Sequence, residues 1–131
     1  MRRLLLICMV WILSTLCSFG QAAYLGKNFN DCYARLKKDF TAIEYEPADD
    51  YPMLMGNYKN TYHVCLYFDN NICIRSASFM KGYTYEKVKD ALAVTGFIHV
   101  NDNKFYRNGI NVQVVYDNDI KELVTIFDLE R

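Results

Sequence analysis

Three residues of this chain have side chains that could ligate a metal or act as nucleophiles within reach of one another. His63 and Cys65 stand two apart in an alternating stretch, and Cys73 lies on the return limb of the same predicted hairpin. Alternation puts residues at even spacing on one face of a strand, so all three are expected side by side. Zinc in a structural site takes four ligands, commonly supplied by C-x-x-C or H-x-x-x-H spacings, and neither spacing occurs here. A Cys/His nucleophile needs a pocket and a third group to orient the base, which a flat strand does not offer. No catalytic residue, metal ligand or cofactor is therefore assigned. A Cys65–Cys73 disulfide is the more ordinary expectation, although the two would be diagonal rather than direct neighbours across the hairpin. Cys32 falls on the apolar stripe of a helix and reads as a small core residue.

Glu44, Glu46, Asp49 and Asp50 form an acidic cluster, but without the ligand pattern and glycine turn of a calcium loop. The favoured reading is a solvated loop. His99, on a short strand, reads as exposed. No phosphate-binding loop, dinucleotide fingerprint, nucleophile elbow or zincin helix is present, so the chain is not expected to be an enzyme.

The elements that carry these residues are written twice. Tyr58 to Phe79 aligns without a gap on Tyr106 to Phe127 at a constant offset of 48, with identities at seven of 22 pairs: Tyr58/Tyr106, Asn60/Asn108, Val64/Val112, Asp69/Asp117, Asn70/Asn118, Ile72/Ile120 and Phe79/Phe127. Unrelated sequences of average composition would give roughly one or two. Before each copy lies a helical pattern. Phe29, Cys32, Tyr33, Leu36 and Phe40 predict a helix over 30–40 capped by Asn30. Tyr85, Val88, Ala91, Leu92 and Thr95 predict a second over 85–95, capped by Thr84 and stopped by Gly96.

First strands are expected over 41–46 and 97–100, and second strands over 54–58 and 103–107. Hairpins follow over 63–68 with 72–79 and over 111–116 with 120–129. Asp69-Asn70-Asn71 and Asp117-Asn118-Asp119 are residue types that tolerate left-handed backbone. Three-residue loops would pair Phe68 with Ile72, Leu66 with Ile74, Tyr116 with Ile120 and Val112 with Val124.

The first residues look like an export signal: Arg2 and Arg3, then an apolar run over Leu4 to Leu16, then small residues at Gly20, Ala22 and Ala23. The run is shorter than the roughly 20 residues needed to cross a bilayer. Cleavage after Ala22 gives residues 1–22 as signal peptide and 23–131 as one domain, with repeats over about 29–80 and 84–129. An exported protein, periplasmic or extracellular and without a membrane span after cleavage, is the expectation. Loss of Arg2 and Arg3 leaves 13 basic and 15 acidic residues, interspersed, for a net charge of −2. Nucleic-acid binding rests on basic patches that neutralise phosphates, so nucleic acid is not an expected partner. Of the five cysteines, Cys8 and Cys17 belong to the signal, leaving Cys32, Cys65 and Cys73 and at most one internal bridge.

The expected fold class is α+β, two tandem repeats of one helix followed by an antiparallel meander, with both helices on one face of a shared sheet. This layout resembles the β-lactamase-inhibitor-protein fold and is similar to small envelope modules of the PepSY type and outer-membrane assembly lipoproteins. The resemblance covers the order of elements and no specific motif. The inhibitor family has longer units and disulfides, and no functional residue carries over.

The sheet face turned from the helices should show His63, Cys65, Tyr67, Cys73, Arg75, Ala77 and Phe79 in the first copy. In the second it should show Asn111, Gln113, Val115, Lys121, Leu123, Thr125 and Phe127. Aromatics and arginine among neutral groups match the composition of protein interfaces. The expected contact residues are His63, Tyr67, Arg75 and Phe79, with Asp50 and Tyr51 of the loop over 48–53 that interrupts the repeat. The expectation is a binding domain for an unidentified protein partner, possessing an inhibitor-like mode of contact, and itself a monomer or weak homo-oligomer. Competing readings are a small-ligand carrier, which needs an apolar pocket between helices and sheet, and a self-associating envelope component.

Overall fold

The computed structural model describes residues 22–47, 51–58 and 62–130. The run read as an export signal lies outside them, as do Asp49 and Asp50. The elements run α1 (Phe29–Asp39), β1 (Ala42–Glu46), β2 (Met53–Tyr58), β3 (Tyr62–Asp69), β4 (Ile72–Met80), α2 (Tyr85–Val94), β5 (Ile98–Asn101), β6 (Lys104–Arg107), β7 (Ile110–Asp117) and β8 (Glu122–Leu129). The eight strands form one sheet in the order β1-β2-β3-β4-β8-β7-β6-β5, with every neighbouring pair antiparallel. The class is α+β.

Helix α1 starts one residue earlier than the sequence pattern suggests. Its N-cap is Asn28, whose Oδ1 accepts from the Asp31 N–H at 2.9 Å, and not Asn30. Thr84 caps α2 as expected, accepting from the Lys87 N–H at 3.3 Å. Gly96 ends α2 with φ +91, a left-handed turn that lets Phe97 N–H reach back to Leu92 O at 2.9 Å.

Both hairpin registers differ from three-residue loops. In the first, Asp69 pairs with Ile72 across a two-residue turn, Asn70 and Asn71, both at positive φ. That combination matches the right-handed twist of the flanking strands. A bulge follows, so that Phe68 faces Cys73 while Tyr67 faces Arg75. In the second, Asp117 pairs with Glu122 across four residues, with Ile120 in the turn instead of a strand. Asp117 Oδ1 there accepts from the N–H groups of Asp119 and Ile120 at 2.9 and 3.4 Å. The first tip is held from outside: Phe29 N–H donates to Asn71 O at 3.1 Å and Cys73 N–H to Lys27 O at 2.8 Å. The described residues form no matching contact at the second tip.

Direct cross-strand partners share a face, so the registers sort the side chains. Leu54, Leu66, Ser76, Phe127, Val112 and Phe105 form one row across the sheet, and Gly56, Val64, Ser78, Thr125 and Val114 the next. Cys32 and Leu36 of α1 and Val88 and Leu92 of α2 join these rows in a single buried cluster, completed by Tyr24, Leu25 and Phe97. Gly56 lets α1 come close: a Cβ there would lie 2.9 Å from Phe40 Cγ and 3.1 Å from Leu36 Cδ2. At the centre, Ser76 and Thr125 are buried with no hydrogen-bond partner for either hydroxyl.

Candidate functional site

The second face of the sheet carries four of the sequence-predicted contact residues, His63, Tyr67, Arg75 and Phe79. His63 opposes Phe79 and Tyr67 opposes Arg75, which places all four together on the side away from the helices. Extending the rows across the sheet gives Asn57, His63, Phe79, Val124 and Val115, then Met55, Cys65, Ala77, Ile126 and Gln113, then Met53, Tyr67, Arg75, Asp128 and Asn111. The middle of this surface is apolar. Ala77 and Val124 are only 5% and 8% exposed although, among the described residues, no helix or strand lies over them. Glu44 and Glu46 border the patch on β1, opposite Met55 and Met53.

Several expectations change in detail. Cys73 is on the helix side, because the bulge after Phe68 inserts one residue and turns it over. It cannot pair with Cys65, which points to the other face. Leu123, Thr125 and Phe127 are likewise buried beneath the helices, because the four-residue turn moves β8 by three residues relative to the expected pairing, an odd number that exchanges its two faces. Val124, Ile126 and Asp128 take the outer positions instead. Sequence reasoning missed these three together with Met53 and Met55. The Val124/Ile126 alternation was visible in the sequence, but its phase depended on the turn. Tyr51 is exposed beside the start of β2, away from the patch centre. Asp50 lies outside the described residues.

Arg75 is already engaged. Its Nε donates to Asp128 Oδ1 at 2.6 Å and its Nη2 to Asp128 Oδ2 at 3.1 Å, a two-pronged ion pair across β4 and β8. That hydrogen bond raises the guanidinium pKa further above its ordinary value. His63 Nδ1–H donates to Asn57 Oδ1 across β2 and β3, which fixes the ring on the sheet surface. Burial, then the negative charge of Glu46, pushes the Cys65 thiol up to about 11. A thiol so protonated at neutral pH is a poor nucleophile. The Tyr67 phenol is also raised, first by burial and then by its neighbour Cys65. At the far edge the exposed His99 donates Nε2–H to Asp102 O at 2.6 Å.

Among the described residues no three His, Cys, Asp or Glu side chains gather as a metal site would require. None of the described helices is long and apolar enough to cross a membrane. Comparison with protein-family models, with curated proteins and with solved structures finds no match for this chain. The face is apolar at its centre and bordered by the Arg75–Asp128 ion pair, the His63–Asn57 hydrogen bond and the carboxylates of Glu44 and Glu46.

Proposed function

We propose that this is an exported, non-enzymatic binding domain, made by duplication of a helix-plus-four-strand unit, that engages another protein through the sheet face opposite its helices. The observation that carries this reading is the one-sided packing of the fold. Both helices join the core on one side, while the other side presents the partly exposed Met53, Met55, Phe79 and Ile126 with no described element over them. Contiguous apolar surface rimmed by polar groups is characteristic of interaction sites on monomeric proteins. Tyr67 and Phe79 are rigid aromatic side chains of the kind that dominate binding energy, and the Arg75–Asp128 pair supplies an ordered polar margin.

The order of elements supports the duplication, since each helix leads into four antiparallel strands and the two sets meet at β4 and β8. The 48-residue offset holds for β3 and β7, where Val64 and Val112 occupy matching buried positions. It becomes 49 for the return strands, where Ser76 and Ser78 correspond to Thr125 and Phe127. The second turn is two residues longer than the first, and the extra residue of the bulge in β4 offsets one of them, which leaves a net difference of one.

The test is quantitative capture of a partner from the cell envelope by the mature protein and by Tyr67→Ala and Ile126→Arg variants. Far-UV circular dichroism and thermal melting would establish that the variants remain folded. A stoichiometric partner whose affinity falls at least roughly tenfold in both variants supports the proposal. Undiminished binding by both folded variants moves the contact elsewhere.

A second reading, self-association, is favoured by the edge strand β5. Ile98 and Val100 are 68% and 60% exposed there, on a strand with one side unpaired among the described residues. Such an edge can add a strand from another copy. Light scattering distinguishes the two, because only edge pairing gives a homodimer in the absence of any partner.

A further inference from the structure

We propose that Cys32 and Cys73, and not Cys65, form an intramolecular disulfide on oxidation, fastening helix α1 to the start of β4. Both residues are buried, at 1% and 0% exposure, and both are in the same core cluster. The segment before α1 laces them together. Gly26 N–H donates to Cys73 O at 2.9 Å, and Cys73 N–H donates to Lys27 O at 2.8 Å. Cys32 Sγ lies 3.9 Å from that same Lys27 carbonyl and 3.5 Å from Tyr24 O. The Lys27 carbonyl thus touches both residues, accepting from the Cys73 N–H and lying within reach of Cys32 Sγ, which makes the two cysteines neighbours inside the buried cluster. Cys65 stands on the opposite face, with the sheet between it and this pair.

The pair is also polarised for exchange chemistry. The neighbouring Cys73 side chain, aided by Arg35 and Lys27, holds Cys32 below the ordinary thiol range in spite of burial and Asp31. The Cys32 side chain and burial raise Cys73. Cys32 is thus the first to ionise. A groove of about 440 Å³ lined by Tyr24, Lys27, Asp31, Cys32 and Arg35 opens beside it.

The Cys32 thiolate attacks one sulfur of a low-molecular-weight disulfide, forming a mixed disulfide and releasing one thiol. Cys73 then loses its proton and attacks Cys32 Sγ, expelling the second half as a thiolate that takes up that proton. The protein gives up two electrons and two protons, and one external disulfide becomes two thiols. This inference does not depend on the proposed partner or on export, because the oxidant is supplied in the experiment.

The experiment is incubation of the reduced, folded protein with oxidised glutathione, alkylation with iodoacetamide without reduction, and peptide mass spectrometry. Trypsin alone leaves Cys65 and Cys73 in one peptide, residues 60–75, so a second protease cutting before Asp69 is required. The expected result is a loss of about 2 Da from the intact chain, a linked pair of peptides carrying Cys32 and Cys73, and an alkylated Cys65. The Cys65→Ser variant, altered on the open face, should give the same linked pair. Alkylation of all three cysteines, or a linkage that includes Cys65, overturns the inference.

Discussion

Leu66 and Tyr67 are neighbours in β3 whose side chains leave opposite faces of the sheet, and truncating each separately tests the face assignment on which the proposed function depends. Leu66 is 0% exposed and lies in the row that runs from Leu54 through Ser76 to Phe127. Leu66→Ala removes three carbons, worth about 2.4 kcal/mol at roughly 0.8 kcal/mol for each buried methylene-sized group. Because α1 and the sheet hold the surrounding core apart, part of the volume persists as a cavity, and the total should reach about 2.5–4.5 kcal/mol. Tyr67 is half-buried on the other side, where its neighbours are Met53 and Arg75. Its truncation removes cross-strand contacts worth about 1 kcal/mol and opens no enclosed cavity. Urea denaturation followed by far-UV circular dichroism reads both values. The sole tryptophan, Trp11, is in the expected export segment, so tryptophan fluorescence is not available for the cleaved chain. A Tyr67→Ala cost equal to or above that of Leu66→Ala would refute the assignment of faces.

Gly56→Ala should destabilise by about 0.5–2 kcal/mol in the same assay, because crowding of Phe40 and Leu36 exceeds the entropic benefit of replacing glycine; a neutral result would mean that α1 does not rest on β2 as described. Thr125→Val removes a buried hydroxyl that has no partner while preserving shape, so the denaturation midpoint should stay constant or rise, by up to about 1 kcal/mol. A double-mutant cycle on Arg75→Ala and Asp128→Ala should give a coupling of about 0.2–1 kcal/mol that shrinks as salt is added, since both side chains are solvent-accessible. Cys65, raised from 9.0 to about 11, should react with iodoacetamide about tenfold faster for each pH unit between 8 and 10, in a Cys32→Ser/Cys73→Ser background. Its contribution to stability is complete below pH 9 and declines as pH climbs towards 11, because the unfolded thiol ionises first. A reaction rate that levels off near pH 9 would contradict the stated burial.

Local signals specified the elements. Cys32 and Leu36 at helical spacing mark the buried stripe of α1, and Thr84 and Gly96 bracket α2 through a side-chain acceptor at one end and a left-handed residue at the other. Strand alternation placed His63, Tyr67, Arg75 and Phe79 on one face. Each of these signals is short-range, involving hydrogen bonds or spacings within a few residues, and is therefore written in the sequence itself.

Register was a different matter. The two tips read Asp-Asn-Asn and Asp-Asn-Asp, almost the same, yet one closes with two residues and a bulge and the other with four. The distinguishing contacts come from residues 26–29, far along the chain, which hydrogen-bond to Asn71 and Cys73 at the first tip. Because side chains alternate with a period of two, those contacts and a net difference of one residue decide which face β8 shows and where Cys73 points. The sequence by itself determined the class of fold, the approximate positions of helices and strands and the common face of His63, Tyr67, Arg75 and Phe79. Only tertiary structure decided that Arg75 is tied to Asp128, that Leu123, Thr125 and Phe127 are core, and that Cys73 shares the buried cluster with Cys32 and not the open face with Cys65. The physical reason is that pairing between distant strands is chosen by the packing of the whole sheet against its helices, and no local segment carries that energy.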